Sequence, residues 1–379
     1  MKPKKLIFDA HLDLAMNAME WNRDLSRPID EIRERERNMT DKPDRGNGTV
    51  CLPEMRNSKI GLVVATQLAR YTPRTSGLPG WHSPQQAWAM TQAQLTWYRE
   101  MEKCGEMTQI TNINQLENHI QLWESDLPDV SKPIGYILSL EGADSLVDIS
   151  YLEEAVEYGL KAIGLSHFGP GRYAPGTKME GPITPLGLEL LKKMNEWVGT
   201  QHQLILDVTH LTDEGFDQAL DLYQGPIWAS HHNVRNIVPN QRQLNDHQIR
   251  RLIERGAVIG GMLDCWAMDI RFIDTVSDPW QLDIKLEHLI DHWDYICQIA
   301  GNTRHVGIGS DLDGIFGTEQ SPWDMNTIGD LQKYETLLSQ RGYSDEDIDN
   351  IFSGNWIRFL RNAWNRLPNH LDTEITQAH

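Results

Sequence analysis

The sequence predicts an α/β protein: a (β/α)8 TIM-type barrel with a long first crossover and an extra C-terminal helix. Three observations predict it. Eight short, apolar, β-branched segments alternate with helix-period stretches through most of the 379 residues. No G-x-G-x-x-G follows the first of them, which disfavours a doubly wound open sheet. Metal-ligating residue types recur at the C-terminal ends of these segments, and in a parallel barrel those ends share one face.

The strand candidates are 6–13, 60–69, 134–141, 160–167, 204–210, 227–231, 257–263 and 305–311. Helix-period stretches between them include 84–103, 150–158, 185–200, 212–223, 246–255, 282–300 and 326–340. Pro185 stands near the start of its helix, where a missing N–H costs little. The first crossover, 14–59, is long and charged. Its run from Glu31 to Arg37 alternates acidic and basic residues and reads as a solvated helix, with a flap over the site as the sharper alternative. Near the C-terminus, Ser344 and Asp347 resemble a capping arrangement. The segment 348–367 carries Ile351, Phe352, Trp356, Phe359, Leu360 and Trp364, and is expected to pack as a helix on the barrel. There is no internal repeat or low-complexity linker. The reading is one domain over 1–367 and a polar tail over 368–379.

Composition narrows the function classes. A net charge of −19 argues against nucleic acid and anionic membranes as partners. No apolar run is long enough to span a bilayer, so no membrane insertion is expected. The basic start, Met1 to Lys5, is followed only by a strand-length apolar run before Asp9, too short for a signal peptide. The expected compartment is the cytoplasm. Cys51, Cys104, Cys265 and Cys297 are far apart and form no Cys-x-x-Cys, so they read as reduced thiols.

The chemistry sits at the strand ends. In the first strand, His11 and Asp13 are two apart and project to the same side. The third closes on Glu141 before Gly142, and a buried carboxylate there needs a cation or a proton. An arginine partner within the core is the plain alternative. The fifth and sixth deliver His210 and His231, while His232 alternates to the other face. Five nitrogen and oxygen donors at one mouth suit zinc or a similar first-row ion. They are too many for one catalytic zinc with an open position, but suit two ions sharing a carboxylate. The eighth strand ends in Asp311, with Asp313 in the turn. A carboxylate beside an activated water can take its proton and pass it on. His167, closing the fourth strand, is a candidate donor to an oxyanion, a sixth ligand, or a core histidine. Arg235 and Arg242 follow the sixth strand, and either is placed to hold a carboxylate.

These motifs, in this order, resemble the membrane dipeptidase (renal-dipeptidase-like) family, a dinuclear zinc branch of the amidohydrolase-type barrels. The matching residues are Asp9, His11 and Asp13; Glu141 and Gly142; Asp207 and His210; Ser230 and His231; and the run from Gly307 to Gly314. The resemblance covers most of the chain. It implies that His11 and Asp13 bind one zinc, His210 and His231 the other, and that Glu141 bridges them. It further implies Asp311 as the catalytic carboxylate, His167 as a substrate contact, and Arg242, eleven residues past His231, as the anchor for the substrate carboxylate; Arg235 is the weaker candidate. The expected activity is hydrolysis of dipeptides with a free C-terminal carboxylate, by a hydroxide shared between two Zn2+ ions about 3.5–4 Å apart. A homodimer is implied as well. Rival readings are hydrolysis of N-acyl-amino acids or lactams on the same metals, and a catalytically silent binding barrel. The chain departs from the family pattern in the loop after His167 and at Leu263-Asp264-Cys265-Trp266, both at the substrate side of the expected pocket.

Overall fold

The computed structural model describes residues 4–73 and 77–364. It contains nine parallel strands: β1 (Ile7–Leu12), β2 (Ile60–Gln67), β3 (Met107–Gln109), β4 (Ile134–Leu140), β5 (Leu160–Gly164), β6 (Ile205–Asp207), β7 (Ile227–Trp228), β8 (Ile259–Gly261) and β9 (Val306–Ile308). Hydrogen bonding runs in the order β7-β6-β5-β4-β2-β1-β9-β8. A parallel bridge from Ala229 to Ile259 joins the two end strands, so eight strands form a barrel flanked by helices. All eight coincide with expected segments, although the later ones are only two or three residues long. Their C-terminal portions leave the ladder to become the loops that carry the site. The extra strand β3 lies outside the barrel path and pairs with β4. Its three residues, Met-Thr-Gln, carry no strand signal of their own.

The strand side chains divide by parity. Phe8, Ala10, Leu62, Val64, Ile137, Ile205 and Trp228 cluster with Trp356, Phe359 and Leu360. Their alternating neighbours, among them Ile7, Val63, Leu138, Ile163 and Leu206, pack with the surrounding helices. This is the two-faced pattern of a filled barrel. Trp356 is the plug of the inner cluster. It is fully buried, its ring lies 6.0 Å from Phe8 and 5.8 Å from Trp228, and its indole N–H donates to the Ile308 carbonyl at 3.1 Å. Gly307 makes room for it: a Cβ there would fall 2.3 Å from the indole nitrogen.

The helix over Pro84–Lys103 has the expected limits, and Ser83 caps it by accepting from Gln86 N–H. A further helix, Ile113–Glu124, precedes β4. The stretch 326–340 begins as a 3-10 turn, Ile328–Lys333, before the α-helix Tyr334–Gln340. The C-terminal element has the expected capping box at Ser344 and Asp347. A π-turn, Asn350–Gly354, then interrupts it before the helix Asn355–Trp364. The polar tail 368–379 lies outside the described residues.

The first crossover is not simply solvated. Helix Ile29–Glu36 exposes Glu31, Glu34 and Arg35, but Glu36 is buried. Glu36 accepts from Arg23 Nε at 2.9 Å and Arg45 Nη1 at 2.6 Å. Arg23 also reaches Asp44 and Asn17. Asp313 accepts from Thr49 N–H at 2.7 Å and Val50 N–H at 3.0 Å. The crossover is thereby tied to the turn after β9. Among the described residues no helix is long and apolar enough to cross a membrane.

Replacing Trp356 by Ala removes the plug and leaves a cavity under the inner cluster. We expect a loss of about 3–5 kcal/mol in denaturant unfolding. A change below about 1 kcal/mol would show that the plug is dispensable.

Candidate metal centre and active site

The strand ends bring together every residue singled out for metal binding. Glu141 follows β4 directly, and Gly142 after it turns the chain in a left-handed conformation, φ +79°. The Glu141 N–H still donates to the Gln67 carbonyl at 2.9 Å, so its backbone is held in register with β2. The two carboxylate oxygens face different partners. Oε2 lies 3.4 Å from His11 Nε2, which is itself 3.8 Å from Asp13 Oδ1. Oε1 lies 3.2 Å from His210 Nε2 and 3.6 Å from His231 Nε2. One buried carboxylate thus stands between two donor sets.

The other imidazole nitrogens explain this aim. His210 Nδ1 meets Thr177 Oγ1 at 2.8 Å, and His231 Nδ1 meets Ser230 Oγ at 2.9 Å. Ser230 Oγ is also 3.3 Å from His11 Nδ1 and 3.3 Å from Thr209 Oγ1. A hydroxyl has two acceptor positions and one proton. Ser230 is therefore equipped to accept from both imidazoles and donate to Thr209, leaving both Nε2 atoms free for a ligand. Thr66 Oγ1 donates to Asp13. His210 is held at φ +69°, a conformation that costs a non-glycine residue roughly 1 kcal/mol or more. Its side-chain partners on both ring nitrogens fix it there.

Buried carboxylates lock the strand ends behind the site. Asp9 accepts from Ser310 N–H at 2.8 Å, from Ser310 Oγ, and from His11 N–H at 3.2 Å. Asp207 accepts from Ser230 N–H at 3.1 Å and Thr209 N–H at 3.0 Å. Burial pushes Asp9 up to about 6, against the pull of its Ser310 hydrogen bonds.

The residues fit a bound metal. Burial penalises the His11 cation, yet the charges of Glu141, Asp13 and Asp311 outweigh it and push His11 up to about 10. Burial and the Glu141 charge lift Asp13 to about 7. Burial also raises Asp311, with Asp13 and Glu141 adding repulsion. Three carboxylates in one buried site thus demand positive charge. His210 is lowered to about 3 and His231 well below the usual range, in both cases mainly by burial. Neutral imidazole is the metal-binding form. Their Nε2 atoms stand 3.1 Å apart, and His11 Nε2 and Glu141 Oε2 are buried with no hydrogen-bond partner among the described residues. Such orphaned atoms are costly unless something binds them. Three overlapping sets qualify for a metal: His11, Asp13 and Glu141; His11, His231 and Asp311; and Glu141, His167 and His210.

The mouth opens into a cavity of about 610 Å³ lined by Asp13, Glu141, His167, His210, His231, Arg242 and Asp311, with Phe168, Lys178, Asp264 and Trp266. Asp311 Oδ1 is 3.8 Å from His11 Nε2, whereas Asp313 turns to the first crossover. Arg242 is buried and spends Nη2 on the His231 carbonyl at 2.9 Å, while its Nε and Nη1 have no hydrogen-bond partner among the described residues. Arg235 instead forms a two-point pair with Asp213, at 2.8 and 2.7 Å, and is absent from the cavity lining. His232 is also absent from it. Sequence reasoning gave no role to Thr66, Thr177, Ser230 Oγ or Arg70; Thr66, Thr177 and Arg70 act across a long sequence separation from positions without a motif, and Ser230 stood in a motif with no task for its hydroxyl.

The sequence profile of the membrane dipeptidase family, peptidase family M19, matches residues 2–370. The chain is 28% identical over 238 residues to Dipeptidase tcpJ of Claviceps purpurea, covering 60% of this chain and 51% of that one. The chain thus spans about half the length of that curated relative. The fold is similar to that of a metallopeptidase described as dipeptidase AC, with TM-score 0.75, 20% identity and coverage of 96% and 99%. It is also similar to a Rhodobacter sphaeroides metallopeptidase solved with a phosphinate mimic of the dipeptide L-Ala-D-Ala. There the TM-score is 0.72, identity is 19%, and coverage is 96% and 100%. With a family profile spanning nearly the whole chain and a metal-ready donor cluster at the barrel mouth, this protein belongs to the membrane dipeptidase family of hydrolases.

Proposed function

We propose that this chain is a dinuclear zinc dipeptidase that cleaves dipeptides with a free C-terminal carboxylate. The observation that carries the reading is the division of Glu141, one oxygen toward His11 and Asp13, the other toward His210 and His231. In this reading His11 and Asp13 would hold one ion, His210 and His231 would hold the second, and Glu141 would be shared between them. The nitrogen and oxygen donor set suits zinc. When bound, such a pair supplies Lewis acidity and a nucleophile at neutral pH.

The protein groups then have separable tasks. Arg242 has two free guanidinium donors in a desolvated wall, the requirement for gripping a substrate carboxylate. That grip fixes the C-terminal residue and leaves room for one residue beyond the scissile bond. Asp311 takes the proton released as water adds to the carbonyl and delivers it to the amine as the C–N bond breaks. His167 Nε2 faces the site and donates to the carbonyl oxygen as negative charge develops on it. The dipeptide-mimicking phosphinate bound to the Rhodobacter protein supports the substrate class. We extend the proposal to a homodimer on the family resemblance alone, and to the cytoplasm, where four unpaired thiols stay reduced. One domain over 1–367 completes it.

Purified protein should contain about two zinc ions per chain and hydrolyse members of an L,L and L,D dipeptide panel. Turnover confined to N-acyl-amino acids or lactams would move the reading to another amide, and absence of metal with no rescue by zinc would end it. Asp311→Asn should keep wild-type metal content and lose kcat by about 100-fold or more; near-normal turnover would remove Asp311 from proton transfer. Arg242→Met should raise KM for dipeptides by roughly 10- to 100-fold, the worth of a charged hydrogen bond, and change little for dipeptide amides. An equal loss on both would count against the carboxylate anchor.

A further inference from the structure

His167 is surrounded by candidate ligands, and its Nε2 lies 3.8 Å from Glu141 Oε1. Geometry at Nε2 alone leaves it a metal ligand, a base or a donor. The opposite nitrogen decides between them. His167 Nδ1 is 2.6 Å from Arg70 Nη2. A guanidinium carries only donors, so the nitrogen facing it must offer a lone pair. The ring proton is then on Nε2. A histidine that ligates a metal through Nε2 has its proton on Nδ1, and needs an acceptor there. His210 and His231 each have one, a hydroxyl. His167 has an obligate donor instead.

Arg70 is itself held. It follows β2, its Nη1 donates to the Pro79 carbonyl at 3.2 Å, and its guanidinium lies 5.8 Å from the Phe168 ring centre. Its backbone carbonyl accepts from Trp81 N–H at 2.8 Å. Phe168 adjoins His167 in sequence, and its ring packs edge-on against the imidazole at 5.1 Å. Among the described residues Arg70 forms no ion pair within 4.0 Å, and Glu141, Asp144 and Glu20 act on its charge from farther away.

We propose that Arg70 is a positioning residue that fixes His167 as the Nε2–H tautomer, making it a hydrogen-bond donor to substrate and excluding it from the metal shell. The proposal rests on the reading of His167 as a substrate contact. It goes beyond that reading by naming the group that sets the tautomer.

The test is nitrogen NMR of isotope-labelled histidine in zinc-loaded protein, with His167→Gln used to assign the signals. The expected wild-type pattern is an unprotonated Nδ1 and a protonated Nε2 on His167. Arg70→Met should give a mixed or reversed pattern, unchanged metal content, and a kcat on a dipeptide about 10- to 100-fold lower with KM within a few-fold. Arg70→Lys, which restores an obligate donor, should recover part of the loss. A protonated Nδ1 in the wild type, or wild-type kcat in Arg70→Met, would overturn the proposal. A wild-type protein that hydrolyses no dipeptide would sink the dipeptidase reading, while the tautomer would still decide the role of Arg70.

Discussion

A single buried carboxylate organises this molecule. Among the described residues no arginine lies within 4.0 Å of Glu141, and a buried carboxylate is costly unless cations meet it. Its two oxygens look in opposite directions, so they cannot be satisfied by one partner. Asp13 and Asp311 add negative charge within reach of the same imidazole. Together with Glu141 they raise the proton affinity of His11 despite its burial. A metal ligand must be deprotonated, so a cation bound at His11 would compete with a proton for the same nitrogen.

The scaffold meets this demand by tying loops together directly above the ladder. The short strands β6 to β9 supply few backbone hydrogen bonds at the mouth. Asp9 bonding Ser310, and Asp207 bonding Ser230, replace missing ladder contacts with buried side-chain bridges between neighbouring strand ends. Asp313 extends the same device to the first crossover through Thr49 and Val50. The polar residues that leave the sheet are therefore not loose loop residues. Of the proposed ligands, His11, Asp13, His210 and His231 each stand beside a carboxylate or hydroxyl that fixes the backbone or side chain, and Glu141 is held through its N–H by the Gln67 carbonyl.

Much of this was legible in the sequence because the barrel imposes a simple rule. Residue types that ligate metals gain meaning when they end apolar segments, and period-two alternation separated His231 from His232. Boundaries were less legible. A strand of two or three residues cannot be distinguished by composition from the loop that continues it, as 227–231 illustrates. Glu36 was misread because the charge pattern of its helix matches that of a solvated surface, while its burial depends on Arg23 and Arg45 folding over it. Asp311 and Asp313 are the same residue two positions apart, both at φ +60°, and only the packing of the crossover sends one to His11 and the other to Thr49. Arg235 and Arg242 were divided in the same way, by Asp213 capturing the first.

The histidines carry the argument one step further. His11, His167, His210 and His231 converge on one carboxylate, and their Nε2 atoms alone do not distinguish them. What differs is the group behind each ring. Hydroxyls of Ser230 and Thr177 can accept an Nδ1 proton and so free Nε2 as a lone pair. The Arg70 guanidinium cannot accept, and so turns His167 around electronically without moving it. In the proposed reading, four identical side chains at one mouth divide into ligands and a donor through the groups behind their rings, of which Thr177 and Arg70 come from stretches that carry no motif. The same chemistry sets the limit of motif reading here: a motif locates an imidazole, but the atom behind the imidazole assigns its proton.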